Sequence, residues 1–341
     1  MSTDASPDSA TPPRGRFRRA EHATSDRLTQ IASFGLPFAA VLMTVIFVVS
    51  EPTFASYGNF KSIVVTQVTT LLLATAICLP LRCGDFDLSV ASTLVVSGAI
   101  VVRLYAAGWP LWACVVVTLV AGGLFGVINA IAVVSLGLNS FIVTLATMTI
   151  LEGLGVALAR SQILVGVPHA LGTFTNKTLG PFPLDVYYAW ILVVVVGFVF
   201  EWTPYGRYML VVGMDRVAAL RLGLPTHAVR YSAYVLAGML ASFAGLLLVG
   251  FVGAVDPTTT GAYILPPYAA AFLGSTTIRL GQFNVVGTFV AVYFVAIGVS
   301  GLELLGVSFW ITNVFSGASL LVGLLSARIL TRRSARALSA G

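Results

Sequence analysis

Long stretches without a charged side chain dominate this sequence. Residues 104–151, for example, contain no Asp, Glu, Lys or Arg. An ionised side chain at the centre of a bilayer is costly, and a helix needs about 20 mainly apolar residues to cross the hydrocarbon core. The pattern therefore predicts a polytopic membrane protein.

The composition supports this class and argues against a soluble one. Charged residues make up 9% of the chain, apolar residues 57%, and the mean hydropathy is +0.95. Soluble domains carry roughly 25% charged residues. The pI of about 9.4 does not indicate nucleic-acid binding, because the basic residues lie between and beyond the apolar stretches rather than on one face.

Nine charge-free intervals define the predicted spans, and a turn at 136–140 divides the longest into two, giving about ten transmembrane helices in an all-α fold. The intervals are 28–50, 62–81, 88–102, 104–151, 186–200, 231–255, 257–278, 280–302 and 304–327. Pro257, Pro266 and Pro267 in one of them predict a broken or re-entrant helix.

The distribution of Lys and Arg predicts the orientation. With ten spans and the N-terminus inside, 15 of the 19 basic residues face the cytoplasm, which is a strong positive-inside bias. Both termini are then cytoplasmic, the loop 160–185 is external, and the loop 201–230 is cytoplasmic. We predict a disordered cytoplasmic tail at 1–27, a permease domain at 28–328 and a basic cytoplasmic tail at 329–341.

A short amphipathic helix is predicted at 215–222, within the cytoplasmic loop. Asp215 lies near its start, Arg221 near its end and Gly223 just beyond it, as helix capping and dipole preferences favour. Composition alone leaves two interpretations open, which are contact with another protein and attachment to the membrane surface.

The same loop carries a specific resemblance. The strings Tyr-Gly-Arg-Tyr at 205–208, Val-Gly at 212–213 and Ala-Ala-Leu-Arg-Leu-Gly-Leu at 218–224 resemble the coupling loop of ribose-type bacterial ATP-binding cassette (ABC) sugar permeases, within the branched-chain amino acid/sugar permease superfamily. The resemblance implies that residues 203–224 dock on a cytoplasmic ATPase. The implied coupling residues are Gly206, Arg207, Gly213, Asp215, Ala218, Ala219, Arg221 and Gly223.

The string Gly-Asp-Phe-Asp-Leu-Ser at 84–89 places two carboxylates between the second and third spans. Either Asp87 or Ser89 caps the third span, or a broken helix places these polar groups near a solute path. The string resembles the Gly-Gly-Ile-Asp-Leu-Ser-Val-Gly-Ser signature of the same family, and the match carries over to Asp87 and Ser89.

Three further polar residues are candidates for the translocation path. Thr144 and Thr147 lie in Ser-Phe-Ile-Val-Thr-Leu-Ala-Thr-Met at 140–148, which resembles a second family string. They either bond to backbone carbonyls, the usual fate of membrane threonines, or line the pore. Glu152 is a carboxylate within the fifth span and is a functional candidate on that ground, with a structural or interfacial role as the alternative.

The resemblance implies the permease subunit of a type II-like ABC importer in the cell membrane, carrying a monosaccharide or related polyol. The implied partners are a cytoplasmic ABC ATPase, an external solute-binding protein, a second permease copy or a paralogue, and membrane lipid. Residues 263–281 depart from the family pattern, which indicates a divergent subgroup.

The sequence holds no nucleophile–base constellation, phosphate-binding loop or zinc spacing. We therefore expect no enzymatic activity, no catalytic residue, no metal and no cofactor in this chain. Two alternatives remain open, which are an amino-acid permease of the same superfamily and an ion-coupled secondary transporter.

Overall fold

The computed structural model describes residues 34–339, with side chains to residue 326. The predicted tail at 1–27 lies outside the described residues. The chain forms fourteen α-helices in this range, most of them in one bundle. They are α1 (Gly35–Ser50), α2 (Tyr57–Thr66), α3 (Val68–Arg82), α4 (Val90–Ala106), α5 (Leu111–Ala130), α6 (Ser140–Ala159), α7 (His169–Asn176), α8 (Leu184–Trp202), α9 (Pro204–Met214), α10 (Arg216–Arg221), α11 (Thr226–Val252), α12 (Leu265–Gly274), α13 (Val285–Leu304) and α14 (Ile311–Ser339).

Each predicted apolar stretch contains a helix, but the helices differ in length. Six helical segments are long and apolar enough to cross a membrane: 57–82, 111–135, 140–159, 184–202, 226–252 and 285–304. Helices α1 and α4 and the first part of α14 are shorter apolar helices. The ten residues of α12 rise only about 15 Å, and a 3-10 turn at Thr259–Tyr263 precedes them. This is the broken helix that the prolines predict.

The centre of the bundle is built from α3, α4 and α11. Helix α5 packs closely against α11, because small residues line the contact. A Cβ atom at Gly122 of α5 would overlap the carbonyl oxygen of Gly238 in α11, and one at Gly126 would overlap that of Tyr234. Backbones that approach this closely pack well without a hydrophobic driving force. All of α3 from Leu71 to Arg82 is buried.

The bundle has two ends, which we name the motif end and the far end. The motif end holds residues 82–89 and the loop 201–230, and the far end holds the loop 160–185. There, β1 (Leu164–Val165) pairs with β4 (Ala254–Val255), and Asn176 Nδ2 donates to Gly250 O at 2.9 Å. The two loops predicted on opposite sides of the membrane thus lie at opposite ends of the bundle.

Two details differ from the sequence-based expectation. The loop 160–185 contains α7 and a second two-stranded ladder, formed by β2 (Thr178–Leu179) and β3 (Phe182–Pro183). The Gly and Pro residues of the loop favour turns, so it forms several short elements. The fold is therefore mainly rather than purely helical. Helix α14 continues to Ser339, so the predicted boundary at 328 falls inside it.

Candidate coupling and translocation site

The coupling segment, residues 203–224, consists of two helices, α9 and α10. Asp215 begins α10 as predicted, since its Oδ1 accepts hydrogen bonds from the backbone N–H of Val217 at 2.8 Å and of Ala218 at 3.0 Å. Gly223 follows the helix with a positive φ of 74°, a conformation that favours glycine. The sequence correctly predicts α10. It also carries a start signal for α9 that the prediction did not use, since Thr203 is the N-cap residue and Pro204 the first helical residue.

The eight predicted coupling residues divide into buried and accessible ones. Gly206 and Ala219 are buried within the chain, and Ala218 is half-buried. Arg207, Gly213, Asp215, Arg221 and Gly223 are exposed. Gly206 and Ala219 therefore position the segment and do not offer a surface to a partner, because their small size is used in packing against their own chain.

The apolar side of α10 faces outward rather than toward the bundle. Val217 is 59% exposed, Leu220 55% and Leu222 72%, and Met214 just before the helix is 76% exposed. Together with Arg207 and Arg221 they form an accessible apolar and basic surface at the motif end. An exposed apolar patch of this kind marks an interaction site.

Arg82, the last residue of α3, anchors the coupling segment to the bundle. Its guanidinium is buried and donates to three carbonyl oxygens, those of Gly206 at 3.2 Å, Phe200 at 3.2 Å and Phe283 at 3.1 Å. It also lies 4.5 Å from the centroid of the Phe200 ring. One side chain thus joins α3 to α8, α9 and the residues before α13.

Asp85 of the 84–89 motif forms a buried ion cluster with two arginines, which we name the Asp85 cluster. Arg230 of α11 binds both carboxylate oxygens, with Nε to Oδ2 at 2.7 Å and Nη2 to Oδ1 at 3.0 Å. Arg216 of α10 binds Oδ1 through Nη2 at 2.6 Å. Asp85 is 2% exposed, so the strong, charge-assisted bonds are made away from bulk water.

A backbone contact reinforces this link. A Cβ atom at Gly213 of the coupling segment would overlap the carbonyl oxygen of Arg82, and Gly84 faces Gly213 from the other side. Gly84 has φ +77°. Because neither glycine has a side chain, the backbone of the coupling segment contacts the backbone at the start of the motif. A side chain at either position would push the two backbones apart.

Asp87 belongs to a second polar cluster, deeper in the bundle, which we name the Asp87 network. Its Oδ1 accepts hydrogen bonds from Ser89 Oγ at 2.6 Å and from the Ser89 N–H at 3.0 Å. Asn129 of α5 donates through Nδ2 to Ser89 Oγ at 2.8 Å, and Thr147 of α6 donates to Asn129 Oδ1 at 2.6 Å. Burial raises the pKa of Asp87 to about 6, since desolvation disfavours the charged form.

Neither Asp87 nor Ser89 caps α4 with its side chain. Ser89 is the N-cap residue but makes no capping bond, and Asp87 accepts the N–H of Ser89 rather than one from the first turn of the helix. Both side chains instead enter a buried network that reaches α5 and α6. Tyr268 Oη of α12 accepts the Asp87 N–H at 3.2 Å.

The remaining path candidates separate from one another. Thr144 is buried and bonds to the Ser140 carbonyl oxygen of its own helix at 2.7 Å, the backbone alternative. Thr147 bonds both its helix and Asn129. Glu152 is half-buried and lies two turns from Thr144 along α6, outside the Asp87 network. Asp87, Ser89 and Thr147 come together, whereas Thr144 and Glu152 do not join them.

Sequence reasoning missed Arg82, Asn129 and Arg230, and it named Asp85 only as one of the two carboxylates of the 84–89 motif. The arginines served only to predict orientation, and Asn129 was hidden in a charge-free stretch. An isolated Asn within an apolar helix was the available signal, because a buried amide needs hydrogen-bond partners.

The fold is a bundle of apolar helices, and it connects an exposed helical segment to a buried polar network. Among the described residues, no group of three or more His, Cys, Asp or Glu side chains is placed to hold a metal ion. The chain belongs to the family described as the permease component of the branched-chain amino acid transport system, which it matches over residues 59–324.

Several relatives in this family are named as import permeases. The chain is 26% identical to the ribose import permease RbsC of Haemophilus influenzae over 84% of this chain and 90% of that protein. It is 28% identical to the L-arabinose ABC transporter permease AraH of Azospirillum brasilense, over 95% and 93%. It is also 28% identical to the autoinducer 2 import permease LsrD of Klebsiella pneumoniae, over 74% and 77%. No solved structure matches the chain.

Family membership and the apolar helices make this chain a multi-pass protein of the cell membrane and a translocation subunit of an ABC importer rather than an enzyme. ATP hydrolysis in such a system resides in a separate subunit. The family also implies, in general terms, a cytoplasmic ATPase and a solute-binding protein as partners.

Proposed function

We propose that this chain forms the pore-forming permease of an ATP-driven importer for a monosaccharide or related polyol, and that the coupling segment docks on the ATPase. The chain crosses the membrane about ten times with both termini in the cytoplasm, so the motif end is cytoplasmic and the far end external. It works with a second copy or a paralogue, as type II importers do.

The Asp85 cluster is the observation that carries this proposal. Arg216 belongs to the coupling segment, Arg230 to a central helix, and Asp85 to the motif that begins α4. A displacement of α10 therefore moves the start of α4 directly. Asp87 lies two residues further on and passes the displacement to α5 and α6 through Asn129 and Thr147.

This connection supports an alternating-access mechanism in which this chain supplies the path and the mechanical link, with no covalent step. ATP-driven closure of the ATPase subunits displaces the exposed surface of α10. The Asp85 cluster and the Gly213 contact transmit the displacement, and the helices around the Asp87 network repack. Solute binding and ATP binding then act on one conformational equilibrium, each favouring the state that it binds better.

The relatives support the choice of cargo class, because their names refer to ribose, L-arabinose and autoinducer 2. The family description refers to branched-chain amino acids, so an amino-acid cargo is the second candidate. Uptake assays with radiolabelled D-ribose, L-arabinose and L-leucine in cells that express the complete importer distinguish the two. Uptake of L-leucine alone would overturn the sugar assignment.

The docking role is tested by substituting the exposed apolar side of α10. We expect Leu220→Glu to reduce co-purification with a tagged, co-expressed ATPase subunit at least about tenfold, which corresponds to ~1.4 kcal/mol. Leu138→Glu is the matched control, because Leu138 is 51% exposed at the same end of the bundle but lies outside the coupling segment. Equal co-purification by both variants would contradict the docking role.

A second test separates an ATP-driven importer from an ion-coupled transporter. The purified chain alone, in proteoliposomes with an imposed ion gradient, is expected to accumulate no sugar. Addition of the ATPase subunit, the solute-binding protein and ATP is expected to restore uptake. Accumulation by the chain alone would reject the proposed mechanism.

A further inference from the structure

A polar cavity of about 520 Å³ opens at the far end, between α2–α3, α13 and α14. It lies at the opposite end of these helices from the Asp85 cluster, because α3 ends at Arg82 near the coupling segment while the cavity begins at Asn59. Its volume falls within the range of about 300–1,000 Å³ that is typical of small-molecule sites.

Three helices each turn one polar face toward this cavity. On α2 and α3 the lining residues Asn59, Ser62, Thr66 and Thr70 are spaced by three or four positions, so they share one side of the helical segment. From Asn59 to Thr70 this stripe descends about 16 Å. Gln67, at the interruption between α2 and α3, lines the same space.

The other two helices complete the lining in the same way. Helix α13 contributes Ser300 and, at the rim, Glu303, and α14 contributes Thr312 and Ser316. Some of these groups bond each other, since Ser300 Oγ donates to Asn59 Oδ1 at 2.8 Å and Thr312 Oγ1 to Glu303 Oε1 at 3.4 Å. The three helices thus gather their polar side chains around one space.

Ser316 provides an independent sign that the cavity takes a ligand. Its side chain is 1% exposed, it lines the cavity, and its Oγ has no hydrogen-bond partner among the described residues. A hydroxyl buried without a partner is unfavourable by about 1–3 kcal/mol. A solute hydroxyl in the cavity would remove that cost.

The lining also limits the chemistry of the solute. It contains hydroxyls, amides, the ring of Tyr263, the rim carboxylate of Glu303 and apolar side chains such as Ile63 and Val295, but no Lys or Arg. A phosphorylated or carboxylate-bearing solute would have no cation to pair with there, and this includes the carboxylate of an amino acid. A neutral molecule with many hydroxyls matches the donors and acceptors present.

We propose that this far-end cavity binds a neutral polyhydroxylated solute, a monosaccharide or polyol, within a single copy of the chain. This inference rests on the proposed import function and deepens it, since it names a site where solute enters. Ser316 and the Asn59–Thr70 stripe are the residues that recognise the solute hydroxyls.

Cysteine labelling tests the site directly. The full-length chain is placed in lipid nanodiscs, where both ends are accessible, and Thr66→Cys is treated with a small water-soluble methanethiosulfonate reagent, because Thr66 lines the cavity and is exposed. Ser319→Cys is the control, because Ser319 of α14 is only 7% exposed and does not line the cavity. The three native cysteines are buried, so the unchanged chain gives the background rate.

We expect Thr66→Cys to react well above background and Ser319→Cys not to. D-ribose, L-arabinose or myo-inositol at twice its dissociation constant should slow the reaction about threefold, and L-leucine should not. Ser62→Cys, one turn away on the same exposed stripe, is a second probe should Thr66→Cys fail to insert.

Three results would overturn the inference: no reaction of either probe above background, no protection by any of the three polyols, or equal protection by L-leucine. These results are separable from the failure of the proposed function. A chain that still supports ATP-driven sugar uptake but shows no protection loses only this site. Protection in a chain that never associates with an ATPase would keep the site and reject the importer.

Discussion

All four ion pairs formed by the described side chains lie at the motif end, where Asp85 binds Arg216 and Arg230, and Glu201 binds Arg82 and Arg279. The far end is different, since its cavity is lined by hydroxyls and amides with one carboxylate at the rim.

This contrast indicates different tasks for the two ends. Charge-assisted hydrogen bonds are strong, and breaking one would leave an uncompensated buried charge. The helices that these bonds join at the motif end are therefore expected to move as one unit. Neutral hydroxyls exchange one hydrogen-bond partner for another at small net cost. The far end is therefore suited to binding and releasing a solute, and the motif end to transmitting force.

The substitution that breaks this contrast most directly is Asp85→Ala. It leaves Arg230 without its buried partner, so we expect a loss of about 3–5 kcal/mol in the free energy of unfolding, measured by thermal unfolding in detergent.

Arg216→Met should have a smaller effect than Arg230→Met, because the Arg216 side chain is 44% exposed and that of Arg230 10%. The control Glu303→Ala, at the exposed rim, should stay within about 0.5 kcal/mol. Equal losses for Asp85→Ala and Glu303→Ala would remove the contrast.

A second substitution separates force transmission from docking. Gly213→Ala places a methyl group against the Arg82 carbonyl oxygen, and such overpacking usually destabilises by about 1–3 kcal/mol. We expect solute uptake to fall at least about tenfold while the ATPase still co-purifies, because the exposed side of α10 is unchanged.

Gly58→Ala is the matched control for this substitution. Gly58 is helical, and a Cβ there meets nothing within 4 Å, so uptake should match that of the unchanged chain. Normal uptake by Gly213→Ala would show that the backbone contact does not transmit the displacement.

The third test asks whether the motif end includes the Asp87 network. Asn129→Leu leaves the Ser89 and Thr147 hydroxyls without their shared amide, and we expect a loss of about 1–3 kcal/mol in the same unfolding assay. Thr149→Val on α6 is the control, because Thr149 is exposed and bonds only the Leu145 carbonyl oxygen of its own helix. Equal free energies of unfolding for the two variants would show that Asn129 does not connect the Asp87 network to α5 and α6.

The smallest effect at neutral pH is expected for Asp87→Asn, which keeps the shape of the side chain. Burial raises the pKa of Asp87 to about 6 from its ordinary value of 3.8, so the folded chain binds this proton more tightly than the unfolded chain. Stability contributed by Asp87 is therefore present at low pH and falls as pH rises from about 4 to 6. Between pH 4 and pH 6, the unfolding temperature of Asp87→Asn should therefore fall less than that of the unchanged chain. Parallel pH profiles would contradict the assignment.

Much of the fold could be predicted because it follows from local sequence. Charge-free stretches mark the apolar helices, the prolines at 257–267 mark the broken helix, and Asp215 with Gly223 marks both ends of α10. Each of these signals depends on residues that are close in the chain.

The site could be predicted only in part, because its contacts join distant residues. Asp87 and Ser89 are predicted from a recognisable string, but Asn129 reaches Ser89, and Arg230 reaches Asp85, only through the packing of α5 and α11. The polar stripe at 59–70 has a helical period, but its members from Ser62 to Thr70 fall within the charge-free interval 62–81, which predicts only a span. Its neighbours in α13 and α14, more than 200 residues away, give it a role.

The separation of the two ends along α2–α3 has a consequence for the history of such permeases. Under the proposed function, a change of cargo alters hydroxyl and amide positions around one cavity, whereas the proposed ATPase contact lies on α10, at the other end of the α2–α3 segment and about 30 Å away. Mutations can therefore change the solute specificity without changing the proposed contact with the ATPase. One ATPase design can then serve descendants that carry chemically different nutrients or signals.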